Sequence, residues 1–240
     1  SFLELYEMGR ANRKEAPAIW CPKCRTAIAQ VELEDKDISS SFNDIIFKIG
    51  SKDLVVATTR PELLPACVGI FFHPDDERYK KLEGKMALVP IFNFEVPILP
   101  DERADPEKGT GIVMCCTFGD QTDIEWYKVH NLDLKIALTK DGRMTDLAGP
   151  YEGMKIKEAR KKIIKDLKEK NLIKGQKEIT HVVNVHDKCG TEIEFLPTEQ
   201  WFIKILDKKK KLIEQGRKVK WHPEFMRKRY DNWVNGLEWD

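Results

Sequence analysis

The sequence predicts an α/β protein with a mixed, barrel-like β-sheet core, surrounding helices and a stapled stem. Three observations predict it. Many short apolar runs of strand length are interrupted by only a few helical patterns. Their order is not a regular βαβ alternation, which argues against a doubly wound sheet and for a closed or strongly coiled one. Two turn-borne pairs of metal-ligand residues lie near opposite ends of the chain, and if they share one ion the ends meet. On that reading residues 1–35 with 178–200 form the stem, residues 36–177 form the core inserted on it, and residues 201–240 form a helical segment.

The elements follow in order. Residues 2–15 carry Leu5 and Met8 three apart with charges between, a helical period that Pro17 ends. Residues 31–33 and 42–49 read as strands separated by the polar turn DKDISSS. Residues 54–59 and 66–72 are strands, and His73-Pro74 breaks the second. DDERYKKL (75–82) has its acids first and its lysines last, which suits a short helix and its dipole. Residues 86–89 and 96–99 are strands around a turn near Asn93, and residues 101–108 are a polar loop. Residues 111–117 are a buried strand and residues 122–130 a helix. Residues 136–138 are a strand followed by the hairpin turn DGRM. Residues 156–170 form an amphipathic helix, with Ala159, Ile163 and Leu167 at i, i+4, i+8. Residues 179–185 alternate as a strand, and residues 200–215 and 225–235 are helices.

Composition narrows the function. Charged residues are 34% of 240, yet the formal net charge is +1, so any nucleic-acid contact must be a local patch. The longest apolar runs, such as residues 68–72, are far too short for a bilayer span. The chain opens SFLELYEMGRANRKEAP, without an initiator Met or a signal-peptide pattern, so an internal piece of a larger cytoplasmic protein is expected. No GxGxxG and no GxxxxGK[ST] occurs, so no phosphate-cradling loop is claimed. Of six cysteines, Cys67, Cys115 and Cys116 sit in apolar strands as small core residues. Cys21, Cys24 and Cys189 sit in polar turns.

WCPKC sets Cys21 and Cys24 at CxxC spacing, and VHDKCG sets His186 and Cys189 at HxxC spacing. Two such turns converging make a tetrahedral Cys3His set, the closed type that holds structural Zn2+. A redox CxxC pair is the other chemistry of that spacing, disfavoured where no helix pattern follows. Free thiols beside a surface His186 are the plain alternative.

Three further stretches carry chemistry. In CTFGDQTDIEW (116–126) an apolar strand hands over to a helix, with Asp120 and Asp123 three apart. A helix cap accounts for one of them. Asp123 lies one turn further on, near the mouth that holds Thr117 and Gly119, where a carboxylate can grip an ammonium group. In VVATTRPELLPA (55–66) Thr58 and Thr59 end a strand that Arg60-Pro61 stops, and only one of two adjacent residues can point its side chain into a pocket. In KGTGIV (108–113) Gly109 and Gly111 allow close backbone approach or a bulge.

The strings TTRPE, HPDDERY, GTGIV, the acidic helix start ending in Asp123 and the tail RYDNWVNGLEWD resemble the editing insertion of class I aminoacyl-tRNA synthetases over essentially the whole chain. The valyl branch, of archaeal or eukaryote-like type, is the nearest match. Isoleucyl enzymes tend to carry TTTPW where this chain has Arg60 and Glu62. Leucyl enzymes share TTRP but differ around the Cys/His turns and the tail. The resemblance implies hydrolysis of mischarged threonyl-tRNA(Val), within an enzyme that attaches valine to tRNA(Val) using ATP. The HIGH and KMSKS signatures of activation are absent from this stretch.

Residue by residue, the resemblance implies that Asp123 anchors the substrate ammonium and that Asp120 is a second acid that reads the threonine hydroxyl. Thr58 and Thr59 line the pocket near the ester and the terminal ribose. Arg60 holds that segment or meets a phosphate. Thr117, Gly109 and Gly111 complete the substrate-binding set, and the nucleophile is a positioned water. The implied partners are tRNA(Val) with its mischarged 3′ end and the rest of the synthetase in cis, with a monomer and no membrane expected. The basic residues 208–211, 217–220 and 227–229 are the candidate phosphate patch, and Trp233 and Trp239 are expected against the synthetase core. The pattern departs from the family at Leu63, where a third threonine is common. It departs again at Met114, where bacterial valyl enzymes carry lysine, and at Phe118-Gly119-Asp120, where they carry Ala-His-Asp. A leucyl- or isoleucyl-type site, or a non-catalytic docking module for tRNA, are the alternatives.

Overall fold

A computed structural model describes residues 1–237, so Trp239 lies outside the described residues. The chain divides into two compact units, one of Pro17–Leu196 and one of Ser1–Ala16 with the residues from Pro197 onward.

In the larger unit, β3 (Leu33–Ile49) is the organising strand. It pairs antiparallel with β4 (Lys52–Thr58) across a tight turn. Its other edge pairs with β9 (Ile173–His186) from Leu33 to Ile45, with a register shift at Asp44. The sheet continues through β6 (Met86–Leu88) and β7 (Glu95–Pro100) to β5 (Cys67–Phe72) and β8 (Ile112–Cys116), with β5 and β7 parallel. This is the mixed, curled half-barrel that the irregular strand order predicts. β4 and β8, at the two ends of the path, approach one another again. Curling therefore brings the C-terminal end of β4, at Thr58, near the C-terminal end of β8, at Cys116. That geometry makes the site.

The curl encloses a core of alternating inward residues, among them Ile45, Phe47, Val56, Ile70, Phe72 and Ile98, all fully buried. Cys67 and Cys116 are buried there as well, while Cys115 is buried in a second cluster with Phe71 and Trp126. Helix α3 (Ile156–Glu169) covers it with Ala159, Ile163 and Leu167, the stripe that its spacing predicts. Helix α2 (Gln121–Val129) follows β8 directly. β1 (Ala11–Cys21) and β2 (Thr26–Ala27) lie in a second sheet of order β10-β1-β2, where β10 is Glu194–Ile203.

The structure corrects six sequence expectations, the first being the strand at residues 31–33, where a 3-10 turn (Gln30–Glu32) leads into β3. The N-terminal helix, α1 (Phe2–Glu7), stops short, because Gly9 takes φ +66° and lets Arg10 N–H bond back to the Leu5 carbonyl at 2.8 Å. This is a glycine-terminated cap, and residues 11–15 continue as β1. DKDISSS is not a turn but part of β3, its polar backbone satisfied by a partner strand far along the chain. DDERYKKL is a turn with only a short 3-10 segment at its end. The Asp76 carboxylate accepts from the Arg78 backbone at 3.0 Å and from its guanidinium at 2.6 Å, which favours the turn over a helix. Residues 136–138 make only an isolated bridge, Leu138 to Met144. Residues 200–203 are strand, and helix α4 (Lys209–Gly216) begins later, followed by α5 (Met226–Asn235). Among the described residues no helix is long and apolar enough to cross a membrane.

Candidate functional site

Between the ends of β4 and β8 and the facing stretch of β9 and β10 lies a cleft of about 510 Å³. Thr58, Thr59, Arg60, Asp120 and Asp123 all line it, together with His181, Asn184, Glu192 and Glu194 from the opposite wall.

The two aspartates have different jobs in the local structure. Asp120 is the N-cap of α2, extended at φ −153°, and its Oδ1 accepts from Asp123 N–H at 2.9 Å. Asp123, in the first turn, does not reach back as a capping residue would. Its Oδ2 accepts instead from Cys116 N–H at 3.2 Å, at the end of β8. The side chain is only 7% exposed. Burial, then the nearby Asp120 charge, push its carboxyl well above the usual range, against the pull of the Cys116 N–H, Cys115 and Arg60. A buried carboxylate that burial disfavours and that lines a cleft suits a cationic ligand.

Gly119 makes this placement possible. A Cβ there would stand 2.2 Å from Asp123 Oδ2 and 3.4 Å from the Cys116 carbonyl. Gly119→Ala is therefore expected to push the Asp123 carboxylate out of place and to lower stability by about 1–3 kcal/mol. Urea unfolding checks it, and an unmoved midpoint would contradict the close approach.

Thr58 is buried, and its Oγ1 accepts from Arg60 N–H at 3.0 Å. That bond leaves the hydroxyl proton to donate. Its carbonyl accepts from the buried Asn43 amide at 3.2 Å. Arg60 is engaged within the protein. Its Nε donates to Glu62 at 3.1 Å, Nη2 to Glu194 at 2.7 Å and Nη1 to the Gly119 carbonyl at 3.2 Å. Glu62 is fully buried and also takes a two-point grip from Arg160 of α3, both contacts at 2.8 Å.

Thr117, Gly109 and Gly111 do not line the cleft. Thr117 is fully buried, donates to the Asp133 carbonyl at 3.3 Å and accepts from Lys135 N–H at 3.0 Å, which fixes the loop after α2. Gly109 (φ +61°) approaches Ala57, where a Cβ would stand 2.8 Å from the alanine methyl. Gly111 (φ +79°) leaves room for the Arg78 guanidinium, 2.2 Å from where a Cβ would lie. Gly109 thus makes room for β4, and Gly111 for the Arg78 side chain and the Pro106 carbonyl. His73 and His130 are structural: one accepts from Asp75 N–H at 3.2 Å, the other meets Asp101 at 2.8 Å.

Spacing did not single out Arg160, Glu192, Glu194 or His181. One signal for Glu194 was in the sequence. In EIEFLPT it keeps phase with Leu196 and Thr198, and all three are buried on β10. An acid in an inward phase needs a cationic partner.

Cys21, Cys24, His186 and Cys189 form the second site. Their ligand atoms all lie within 4.8 Å of one another. Cys21 Sγ is 3.5 Å from Cys189 Sγ, which is 3.5 Å from His186 Nδ1. Ligands on a tetrahedron of zinc dimensions stand about 3.8 Å apart, so the spacing fits an ion. Cys24 N–H points at Cys21 Sγ at 3.4 Å, and Gly190 (φ +63°) closes the second turn onto the His186 carbonyl at 2.8 Å. Hydrogen bonds with Cys189 and Cys21 raise the Cys24 thiol to about 11, while those from Thr191, Cys21 and Cys24 draw the Cys189 thiol down to about 6, so the first proton leaves easily and the next does not. Three sulfurs this close resist ionising together unless a cation joins them.

The sequence matches the family described as tRNA synthetases class I (I, L, M and V) over residues 1–239. It is 54% identical over 249 residues to a valine–tRNA ligase of Haloarcula marismortui, covering 100% of this chain and 28% of the relative. It is 51% identical over 239 residues to the valine–tRNA ligase of Thermoplasma acidophilum, covering 100% and 30%. The Rickettsia conorii enzyme of the same name is 48% identical over 242 residues, again covering 100% and 30%. The chain thus spans less than a third of the length of these relatives. A solved LeuRS-tRNA-LeuAMS complex from Agrobacterium radiobacter K84 aligns with 75% of this chain and 31% of its own, at TM-score 0.45 and 15% identity.

Proposed function

The chain belongs to the class I tRNA synthetases, and from that membership we propose that it hydrolyses mischarged threonyl-tRNA(Val), as the post-transfer editing domain of a valyl synthetase. The observation that carries the reading is the convergence of buried Asp123 with Thr58 and Thr59 in one cleft.

The need for such a site is chemical. A valine-sized pocket rejects threonine, its hydroxyl isostere, by only about a hundredfold, the known worked case for this family. A second pocket with polar groups placed for a hydroxyl holds threonine and leaves those groups unpaired when valine enters. Here Asp123 takes the substrate ammonium. Asp120 spends Oδ1 on its cap and keeps acceptor capacity for the threonine hydroxyl. Thr58 donates its hydroxyl toward the ester or the terminal ribose, and Thr59 continues that wall. A water positioned between them attacks the ester carbonyl. Its oxygen bonds to the carbonyl carbon and gives up a proton, the ester bond to the ribose breaks, and the leaving ribose oxygen takes up that proton, giving free threonine and the ribose hydroxyl. Arg60 serves by holding this segment together, and Gly109, Gly111 and Thr117 serve by shaping the strand ends around it.

The Cys/His cluster is proposed to hold zinc as a structural ion, with Cys21, Cys24, His186 and Cys189 as its ligands. The exposed lysines and arginines of α4 and α5 are proposed to meet tRNA phosphates, with salt-sensitive affinity. The remaining partner is the rest of the synthetase in cis.

The test is deacylation of threonyl-tRNA(Val) and valyl-tRNA(Val) by this chain and by the whole synthetase. Selective loss of threonine supports the reading. If neither ester is cleaved by either protein while tRNA still binds, the chain is a docking module.

A further inference from the structure

We propose that Glu194 is a positioning residue for this cleft, acting through Arg60 to hold the Gly119 turn and with it Asp123. The proposal rests on the hydrolytic reading for its consequence, but its geometry stands alone.

Arg60 joins three separate segments. It leaves the end of β4, meets Gly119 between β8 and α2, and ends on Glu194 of β10. Gly119 precedes the cap residue Asp120, and its own N–H donates to the Cys116 carbonyl at 2.6 Å. Cys116 N–H in turn holds Asp123 Oδ2. The path from Glu194 to the candidate ammonium anchor is therefore a chain of direct contacts.

Glu194 is not needed merely to seat Arg60. Glu62 already accepts from the guanidinium, and Arg160 ties Glu62 to α3. What Glu194 adds is direction. It draws Nη2 toward the far wall of the cleft, so that Nη1 faces the Gly119 carbonyl. Glu194 is 5% exposed and lines the cleft with Asp123, and burial pushes its carboxyl up while Arg60 holds it down. The groups that act on Asp123 are the α2 cap residue Asp120, the Cys115 thiol and the Cys116 N–H of β8, and Arg60. Where Glu194 is ionised, removing its charge leaves the Arg60 cation less compensated, and that favours ionised Asp123.

Two readouts test this. Glu194→Gln keeps an oxygen to accept from Arg60 and loses the charge, and Glu194→Ala loses both. In carbon-13 carboxyl NMR, Asp123 is expected to titrate at lower pH in both variants. In threonyl-ester hydrolysis, Glu194→Ala is expected to lose about a hundredfold in kcat with KM nearly unchanged, the scale of a misplacement of about 1 Å. Glu194→Gln is expected to keep most of kcat while the acid limb of its pH profile moves down. Near-UV circular dichroism and metal content identify any variant that fails to fold, and Glu194→Gln is the one built to keep the shape. An unmoved Asp123 titration in a folded Glu194→Gln chain overturns the proposal, as does wild-type kcat in Glu194→Ala. If the wild type hydrolyses neither ester, the functional reading falls, and the Asp123 titration alone decides the clamp.

Discussion

Replacing Asp123 with alanine is expected to abolish threonyl-ester hydrolysis while leaving the fold and the metal content intact. Truncating one partner of a buried, hydrogen-bonded charge pair costs about 2–5 kcal/mol, or roughly one and a half to nearly four orders of magnitude in kcat/KM. The fold should survive because the carboxylate contributes little to it. The α2 cap belongs to Asp120, and Asp123 gives one bond, to Cys116 N–H. Unchanged hydrolysis would remove Asp123 from its role.

Asp123→Asn separates function from stability further. The folded carboxyl titrates above its unfolded value. Between those two values the native state holds more protons than the unfolded chain. Stability therefore falls as pH rises from the ordinary carboxylate range toward the raised value, and that loss persists above it. The amide cannot ionise, so Asp123→Asn is expected to melt above the wild type at neutral pH and to match it in acid. It should nonetheless be inactive, because a neutral amide does not replace the charge at an ammonium site. Thermal unfolding at several pH values checks the first part, and the ester assay the second. A variant less stable than the wild type at every pH would contradict the placement of Asp123 as a buried, strained acid.

The same residues show what was legible from sequence. Asp120 and Asp123 were readable as a pair because spacing on a helix start is local. Their division of labour was not, since it depends on Gly119 lacking a side chain and on Cys116 offering its N–H. Ala159, Ile163 and Leu167 announced α3 because a helix registers its period within one segment. DKDISSS misled because a strand exposed on its surface has no apolar period, and its evidence lies in a partner that pairs across more than a hundred residues. Gly109 and Gly111 were readable as sites of close approach, but spacing does not say what approaches. The answer is Ala57 and Arg78. Arg60 could not be assigned without Glu194, which reaches it only once β10 has been placed opposite β4.

Removal of the proposed metal is expected to lower the melting temperature by roughly 10 °C, the consequence of losing about 4 kcal/mol of ligand stabilisation in a domain of this size. The effect should fall short of complete unfolding, because the curled sheet has its own core around Phe47, Ile70 and Phe72. What loosens is the place where the end of β1 meets the end of β9. Cys21→Ser should reproduce the loss, since Cys21 is fully buried and its sulfur stands 3.5 Å from that of Cys189. Metal analysis of the purified chain and a melt with and without a chelator check both statements. An unshifted melt together with no bound metal would leave four free side chains in a polar corner. A disulfide between Cys21 and Cys24, seen by thiol counting, would favour redox chemistry instead. Below the lowered melting temperature, hydrolysis should persist in the chelated chain, because the cleft residues that meet the ester are not metal ligands. The two perturbations then act on different quantities: Asp123→Ala removes the chemistry and spares the melt, and chelation moves the melt and spares the chemistry. A chelated chain that stays folded but loses hydrolysis would place the ion's influence inside the cleft, with Glu194, five residues beyond Cys189, as the nearest route for it.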